Sequence, residues 1–246
     1  LVMSGEFVPV DAMHEEPRYA ACLGRLASFS RVIRFDRRGT GLSEPVSAPA
    51  PTTVEGWVGD ALTVLDAVGC ARVAVFASTD AGLAGLALAA THPERIERLV
   101  VLHGYARSLW APDFPFGLAP EAWRTTVDTA TEPTLSDPGF DILAMLAPSV
   151  VDDRLFRDWW ERAGHRGASP AVARAMWHAL IETDVRHILG AIHVPTLVLH
   201  RSDNGWTKAE HSRYLAGHIA GARLEMLPGA DDLWWVGETD ELLCEI

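Results

Sequence analysis

One stretch in the first third of the chain constrains the fold more than any other. It reads as a strand, a sharp turn and a tightly packed helix in direct succession. The apolar run 73–76 predicts a buried strand, and the small residues over 82–90 predict a helix that lies close to its neighbours. A turn of this kind can present one side chain at the edge of a sheet. Its residues are Ala77, Ser78, Thr79, Asp80 and Ala81.

The same alternation of apolar strands and helices continues along most of the chain. It predicts an α/β fold whose mostly parallel sheet is covered by helices on both faces. Between residues 106 and 187 the sequence predicts helices and no strand. The predicted strands are 1–3, 31–35, 71–76, 99–102, 194–200 and 223–227. The predicted helices are 53–68, 80–90, 120–131, 140–145, 152–163, 170–183 and 208–219, together with one that starts at 17 and one that starts at 232. A loop is predicted over 4–16.

Composition excludes several classes of protein. A net charge of −12 over 246 residues disfavours nucleic acid and anionic membrane as partners, because phosphates would be repelled. No apolar run approaches the ~20 residues of a membrane span. The three cysteines are widely spaced and odd in number, which is typical of reduced packing residues in a cytoplasmic protein. Neither metal-ligand spacing nor a cofactor motif is found, and the glycine-rich loop 37–41 lacks phosphate-loop spacing.

Four segments carry a resemblance to a known family: 29–43, 89–95, 194–201 and 227–231. In this order they resemble the α/β-hydrolase superfamily, most closely the branch found alone or fused to adenylate/guanylate cyclase or regulator domains. The resemblance implies core parts over 1–105 and 188–246, with a helical lid over 106–187. Because members usually carry two further strands at the front, and the chain starts at Leu1, we expect residues to be missing there.

The resemblance also fixes the positions where a catalytic triad would stand. The set length of the helix that ends near Pro93 places the nucleophile at Thr79. Asp80 is the alternative, but it would rotate the helix faces by ~100°. The stretch that usually supplies the histidine places Asp232 there, and the acid position falls on Asn204.

These residue types do not suit an acyl-enzyme mechanism. A threonine hydroxyl needs an adjacent base, and a carboxylate with a pKa near ~4 is a poor one. Asn204 cannot stabilise an imidazolium, and Glu6 at the oxyanion-donor position would oppose a developing negative charge. If Glu6, Asp80, Asp203 and Asp232 converge, at least one carboxyl should have a raised pKa. The simpler interpretations are a pocket-lining Thr79, a helix cap at Asp232, a structural turn at Asn204 and an exposed Glu6.

The predicted lid is rich in aromatic residues, which are first of all packing residues. Their number also favours a large apolar cavity for a bulky ligand. His103 ends a strand at the functional edge of the sheet, where it could enter that cavity, and His200 ends another. The aromatic residues of the lid are Trp110, Phe114, Phe116, Trp123, Phe140, Phe156, Trp159, Trp160 and Trp177. The substrate-binding candidates are Glu6, Asp80, Asp203, His103, Trp110, Trp159, Trp177, Trp206 and Trp234.

Three functions fit this sequence. The first is an enzyme that acts on a small apolar or aromatic molecule by carboxylate acid–base chemistry, of lyase, isomerase or cyclase type, as in biosynthesis. The second is a non-catalytic ligand-binding or regulatory domain. The third is a slow esterase-like hydrolase with Thr79 as nucleophile or a carboxylate-activated water. The oligomeric state is left open, a homodimer included.

Overall fold

The computed structural model describes residues 1–46, 53–131 and 141–246, without the side chains of 128–131. Within these ranges a single sheet has the strand order β1-β2-β3-β4-β5, and every neighbouring pair is parallel. The strands are β1 (Val2–Met3), β2 (Val73–Ser78), β3 (Ile96–Leu102), β4 (Thr196–Arg201) and β5 (Arg223–Leu227). Because all five run the same way, their carboxyl ends share one edge of the sheet, where ligands bind in open α/β sheets.

Helices cover both faces of this sheet. Two hydrophobic clusters form the core, one on each side. The helices are α1 (Val10–Met13), α2 (Pro17–Ala27), α3 (Val54–Ala67), α4 (Ala81–Thr91), α5 (Pro120–Thr131), α6 (Ile142–Leu146), α7 (Arg154–His165), α8 (Pro170–Glu182), α9 (Ala209–His218) and α10 (Thr239–Glu245). None of them combines the length and apolar character needed to cross a bilayer, as far as the described ranges go.

Helix α4 shows why its sequence is made of small residues. Residues 81–89 are all buried, so the helix has no solvent face. A Cβ atom at Gly85 would lie 2.9 Å from Cβ of Ala77, and one at Gly82 would lie 3.2 Å from Cα of Gly104. Glycine at these positions therefore lets α4 approach β2 and the turn after β3, which fixes the turn at 77–81 against the sheet edge.

The predicted α/β class and parallel sheet are confirmed, but three local predictions are wrong. Residues 31–35 form no strand of the sheet; Val2 N–H donates to the carbonyl of Ile33 (3.0 Å), but β1 has only two residues to pair with. The predicted loop 4–16 contains α1, whose Val10 N–H donates to Asp36 Oδ1 (2.8 Å). The last helix starts at Thr239 rather than 232, because Asp232 and Leu233 donate their N–H groups to the carbonyl of Leu146 instead.

Helices α5 to α8 lie between β3 and β4 in the chain, as the sequence predicts. In the described parts of 106–187, strand-like pairing is limited to isolated bridges, such as Arg107 with Asp184. Residue 140, where one predicted helix starts, lies outside the described residues. Helix α6, which follows, contributes Ile142 and Leu146 to the wall of a cavity at the carboxyl edge of the sheet.

Candidate active site

The turn after β2 holds Thr79 in a conformation that side chains seldom adopt. Its φ is 50°, in the left-handed region, and its N–H donates to the carbonyl of Leu102 (2.9 Å). A β-branched residue in this region is strained by on the order of 1–3 kcal/mol. The strain falls on Thr79 and not on Asp80, so Thr79 is the residue that the turn presents at the sheet edge.

The hydroxyl of Thr79 donates to a carboxylate. Its Oγ1 lies 2.9 Å from Asp232 Oδ2, and both residues are buried. The other oxygen, Oδ1, lies 3.3 Å from Nδ1 of His103 and 3.3 Å from Nδ2 of Asn204. Three donors therefore surround the two oxygens of one carboxylate, an arrangement that suits its anion.

The side chain of Asn204 has a defined orientation. Its Oδ1 accepts the N–H groups of Trp206 (3.0 Å) and Thr207 (2.7 Å). Because these two donors fix the oxygen, the amide nitrogen must face Asp232. An aspartate at this position would place a second negative charge against Asp232, whereas asparagine supplies a hydrogen-bond donor. Asparagine at position 204 therefore suits a carboxylate at position 232 better than an aspartate would.

The tautomer of His103 is fixed in the same way. Its Nε2 accepts the backbone N–H of Arg201 (3.0 Å), so the proton resides on Nδ1, which lies 3.3 Å from Asp232 Oδ1. The imidazole lies behind the carboxylate as seen from Thr79, and it is fully buried. The order is hydroxyl, carboxylate, imidazole, whereas a serine triad has the imidazole in the middle. His103 therefore cannot take the proton of Thr79 in this geometry.

Arg201 is a residue that sequence reasoning missed. Its guanidinium is fully buried and donates to the carbonyls of Asp231 (2.9 Å) and Leu233 (3.1 Å), on either side of Asp232. It also donates to the carbonyls of Trp234 (3.5 Å) and Glu238 (3.1 Å). Arg201 thereby holds the loop that carries Asp232, while its own N–H orients His103. The sequence signal that could have identified Arg201 is a charged residue at the end of an apolar strand, here β4.

A cavity of about 190 Å³, here named the Thr79 cavity, lies in front of Thr79 and Asp232. Most of its lining is apolar, which agrees in kind with the predicted apolar pocket. Its volume is modest, since a dry apolar cavity of about 150 Å³ holds a benzene ring. The lining includes Phe7, Leu146, Trp160, Trp177 and Trp206 together with the carboxyl groups of Glu6, Asp80 and Asp232.

Among the carboxyl groups that line this cavity, Glu6 is the one whose pKa is raised to about 7. The residue is half-buried, but its Oε2 is buried and has no hydrogen-bond partner. Burial raises the pKa of the Glu6 carboxyl to about 7, and the nearby charge of Asp232 contributes to the rise. Both protonation states of Glu6 are therefore populated at neutral pH, the range in which proton transfer is most effective.

Asp80 and Arg37 complete the charged groups around the cavity. Burial raises the pKa of Asp80, whose Oδ1 accepts the hydroxyl of Tyr105. Arg37 is buried between the rings of Phe7 and Trp57, with its guanidinium carbon 4.2 and 4.7 Å from the ring centroids. Burial lowers the pKa of Arg37 to about 10, so it is a cation at neutral pH that offsets the neighbouring carboxyls.

Five of the predicted binding residues do not line the Thr79 cavity, and one of these, His103, lies next to Asp232. Asp203 and Trp110 are exposed. Trp159 packs in the core and donates its indole N–H to the carbonyl of Ala12 (3.1 Å). Trp234 is fully buried and donates to Ser4 Oγ (3.2 Å). Side chains at helical spacing cannot be divided between core and cavity until the packing of the helices is known.

The other candidates divide between the cavity and its support. Trp177, Trp206, Glu6 and Asp80 line the cavity, and His103 supports Asp232 from behind. His200 is also buried, and its Nδ1 lies 3.0 Å from Ser212 Oγ. Phe140 lies outside the described residues. No group of three or more His, Cys, Asp or Glu residues within the described ranges is arranged to hold a metal ion.

Comparison with known proteins agrees with this architecture. No family model matches the sequence. The chain is 32% identical over 221 residues to the putative carbamate hydrolase RutD of Caulobacter sp. (strain K31), covering 85% of this chain and 76% of that relative.

Solved structures give the same result. The crystal structure of the enol-lactonase from Burkholderia xenovorans LB400 matches with a TM-score of 0.79 and 27% identity, over 99% of this chain and 87% of that one. MGS-M2, an alpha/beta hydrolase enzyme from a Medee basin deep-sea metagenome library, matches with a TM-score of 0.75 and 16% identity, over 99% and 86%. The predicted resemblance is therefore confirmed at the level of the superfamily, and this chain belongs to the α/β-hydrolases.

Proposed function

We propose that this chain is an α/β-hydrolase-fold enzyme that moves a proton on a small, largely apolar molecule by carboxylate acid–base chemistry. The reaction would be of lyase, isomerase or cyclase type rather than serine hydrolysis. The observation that carries the proposal is the order of the groups at the turn. The hydroxyl of Thr79 meets a carboxylate, and the imidazole of His103 lies out of its reach behind that carboxylate.

Two of the carboxyl groups that line the cavity differ in what they can do. Asp232 accepts hydrogen bonds from Thr79 and Asn204, and Nδ1 of His103 lies 3.3 Å from its Oδ1, so its carboxylate would stabilise positive charge that develops on the ligand. Glu6 has an unpartnered oxygen and a pKa of about 7. It can therefore accept a proton at one point of the reaction and return it at another. Environments that push two carboxyl groups apart in this way mark acid–base pairs in enzymes.

The ligand that suits this site has a ring-sized apolar body. Aromatic side chains of residues 106–187, among them Trp160 and Trp177, lie against the cavity. We infer that this segment is a lid that excludes water from the reacting atoms, while residues 1–105 and 188–246 form the core. Exclusion of water would maintain the raised pKa of Glu6, because burial is its principal cause.

Two chromogenic probes test the proposal. Removal of a carbon-bound proton opens 5-nitrobenzisoxazole, and acyl transfer releases 4-nitrophenol from 4-nitrophenyl butyrate. We expect catalysed opening of the benzisoxazole that rises with pH through about 7, as Glu6 ionises. Glu6→Gln should lower this rate by a factor of about 10² or more, which is the usual contribution of a general base. The exposed Glu97→Gln should leave it unchanged.

A rate of benzisoxazole opening that is the same in Glu6→Gln and the wild type would contradict the proposal. So would an enzyme that does not open this probe at any pH but binds apolar ligands. That result would favour the non-catalytic ligand-binding domain.

Hydrolysis is the second candidate, because the relatives are named carbamate hydrolase and enol-lactonase. Thr79 has a hydroxyl at the strained turn, and Asp232 lies within hydrogen-bond distance of it. Ester turnover that Thr79→Ala abolishes would assign Thr79 as a nucleophile. We expect instead that the wild type and Thr79→Ala release 4-nitrophenol at the same rate.

A further inference from the structure

A second cavity lies next to the first and has no part in the chemistry proposed above. It measures about 140 Å³ and shares the side chains of Asp80 and Trp206 with the Thr79 cavity. Its other walls come from α5, which contributes Trp123, and from the start of α9, which contributes His211. We name it the Trp123 cavity. Because the two cavities meet at the same two residues, one ligand could extend through both.

Two buried nitrogens in the wall of this cavity have no hydrogen-bond partner. They are Nε1 of Trp123 and Nδ1 of His211. Trp123 is 6% exposed and His211 5% exposed, so bulk water does not satisfy them. A buried polar group without a partner is costly, and native proteins leave few of them. Tryptophan is a donor only, which means that the missing partner of Trp123 is an acceptor.

A lysine belongs to the same lining. Lys208 lines the cavity, and its ammonium group donates to the carbonyl of Phe116 (3.3 Å). Lys208 also precedes the first turn of α9, a helix of ten residues that has no side-chain cap at its N-terminus and whose first turn carries Glu210. The N-terminal end of such a helix favours negative charge. The lining therefore combines one cation with the two unpartnered nitrogens.

Among the described residues that line the Trp123 cavity, Asp80 has the one carboxyl group, and the Thr79 cavity shares this residue. That carboxyl already accepts the hydroxyl of Tyr105, and Arg37 attracts its charge. The remaining polar side chains of the wall are the hydroxyls of Ser108, Thr126 and Thr207. An anion bound beside Lys208 would therefore meet a cation and hydroxyl groups, while the charge of Asp80 is already offset by Tyr105 and Arg37.

We propose that the Trp123 cavity is a subsite for a carboxylate group on the ligand, bound by Trp123, His211 and Lys208. The apolar body of the same ligand occupies the Thr79 cavity, so this inference deepens the proposed function and rests on it for that second half. A single lysine with two neutral ring nitrogens matches a monoanion such as a carboxylate. The substrate class is thus an apolar or aromatic carboxylic acid of modest size.

Isothermal titration with a matched pair of probes tests the subsite. 4-Phenylbutyrate and 4-phenylbutan-1-ol differ only in the carboxylate. We expect the acid to bind at least about tenfold more tightly than the alcohol, the effect of one hydrogen bond to a charged group. Equal affinities for acid and alcohol would overturn the proposal.

Two variants locate the preference within the cavity. Trp123→Phe keeps an aromatic ring and removes the N–H, so it should weaken the acid about tenfold and leave the alcohol within twofold. Lys208→Gln changes an exposed side chain and should weaken the acid several-fold, by an amount that shrinks as salt is added. Trp110→Phe, an exposed tryptophan outside both cavities, is the control and should change neither affinity. An acid preference that survives both Trp123→Phe and Lys208→Gln would contradict the assignment.

The outcome is independent of turnover. If Glu6→Gln leaves the benzisoxazole rate unchanged but the acid preference depends on Trp123, then only the proposed chemistry is wrong. If proton transfer depends on Glu6 but acid and alcohol bind equally, then only the carboxylate subsite is wrong.

Discussion

The two sides of the Thr79 cavity treat a buried carboxyl group in opposite ways. On one side, Asp232 has a donor for each of its oxygens, and Arg201 holds the loop that carries it. On the other side, Glu6 has an oxygen without a partner, and its pKa rises to about 7. Hydrogen bonds favour the charged form of a buried carboxyl and burial disfavours it, and in Glu6 burial outweighs the hydrogen bonds that lower its pKa. A site that contains both carboxyl groups can combine a well-ordered hydrogen-bond acceptor with a group that changes its protonation near neutral pH.

On the Asp232 side of the cavity, we expect the substitution of Arg201 to cause the largest loss of stability. Arg201→Met removes the donor from four carbonyls, of which those of Asp231, Leu233 and Trp234 are buried, so we expect a loss of at least about 3 kcal/mol in the free energy of unfolding. Urea denaturation at pH 7 measures this loss. Arg213→Met is the matched control, because Arg213 is exposed and its contact with Glu210 is 3.8 Å long. A loss no larger than in that control would mean that Arg201 does not hold the loop.

The ionisation of Glu6, on the other side of the cavity, should make the free energy of unfolding depend on pH. The raised pKa of Glu6 means that the folded protein keeps a proton that the unfolded chain releases above pH 4.5. Stability is therefore lost as the pH rises from about 4.5 to about 7, by up to about 3 kcal/mol. Glu6→Gln cannot ionise, so its stability relative to the wild type should increase over this range and level off above it.

Urea denaturation at pH 4.5, 6 and 8 follows this difference. Glu97→Gln, an exposed site, should show no such trend. A constant difference between Glu6→Gln and the wild type would show that Glu6 does not titrate near neutrality.

The smallest expected loss of stability concerns Asn204, the residue that donates to Asp232 Oδ1. Asn204→Asp would replace the donor 3.3 Å from Asp232 with a second carboxylate. We expect a loss of about 1–3 kcal/mol, because the substitution removes a donor and adds a repelling carboxylate. Thermal unfolding measures it, with Asp203→Asn on the exposed neighbour as the control. An Asn204→Asp protein as stable as the wild type would argue that the contact between Asn204 and Asp232 does not stabilise the loop.

Local patterns predicted part of the candidate site. The family resemblance placed the nucleophile position at Thr79, and the structure gives Thr79 a left-handed backbone conformation, which His103 shares. Trp177 of α8 lines the cavity and Trp159 of α7 lies in the core, although both stand at helical spacing. Aromatic spacing reports that a side chain faces the interior of the protein, and it does not distinguish packed core from cavity wall. That distinction depends on how α7 and the loop after β5 pack on the sheet.

The sequence by itself determined the α/β fold and the turn at Thr79, and it predicted Asp232 where the family resemblance implies a histidine. These follow from periodicity and from separations along the chain, which are local properties. Only the tertiary structure decided that His103 lies next to Asp232, that Arg201 holds the loop that carries Asp232, and that Oε2 of Glu6 is buried. Thr79 and Asp232 are separated by 153 positions, and His103 and Arg201 by 98. Contacts over such separations arise from the packing of whole helices and strands at one sheet edge. Local sequence patterns do not predict that packing.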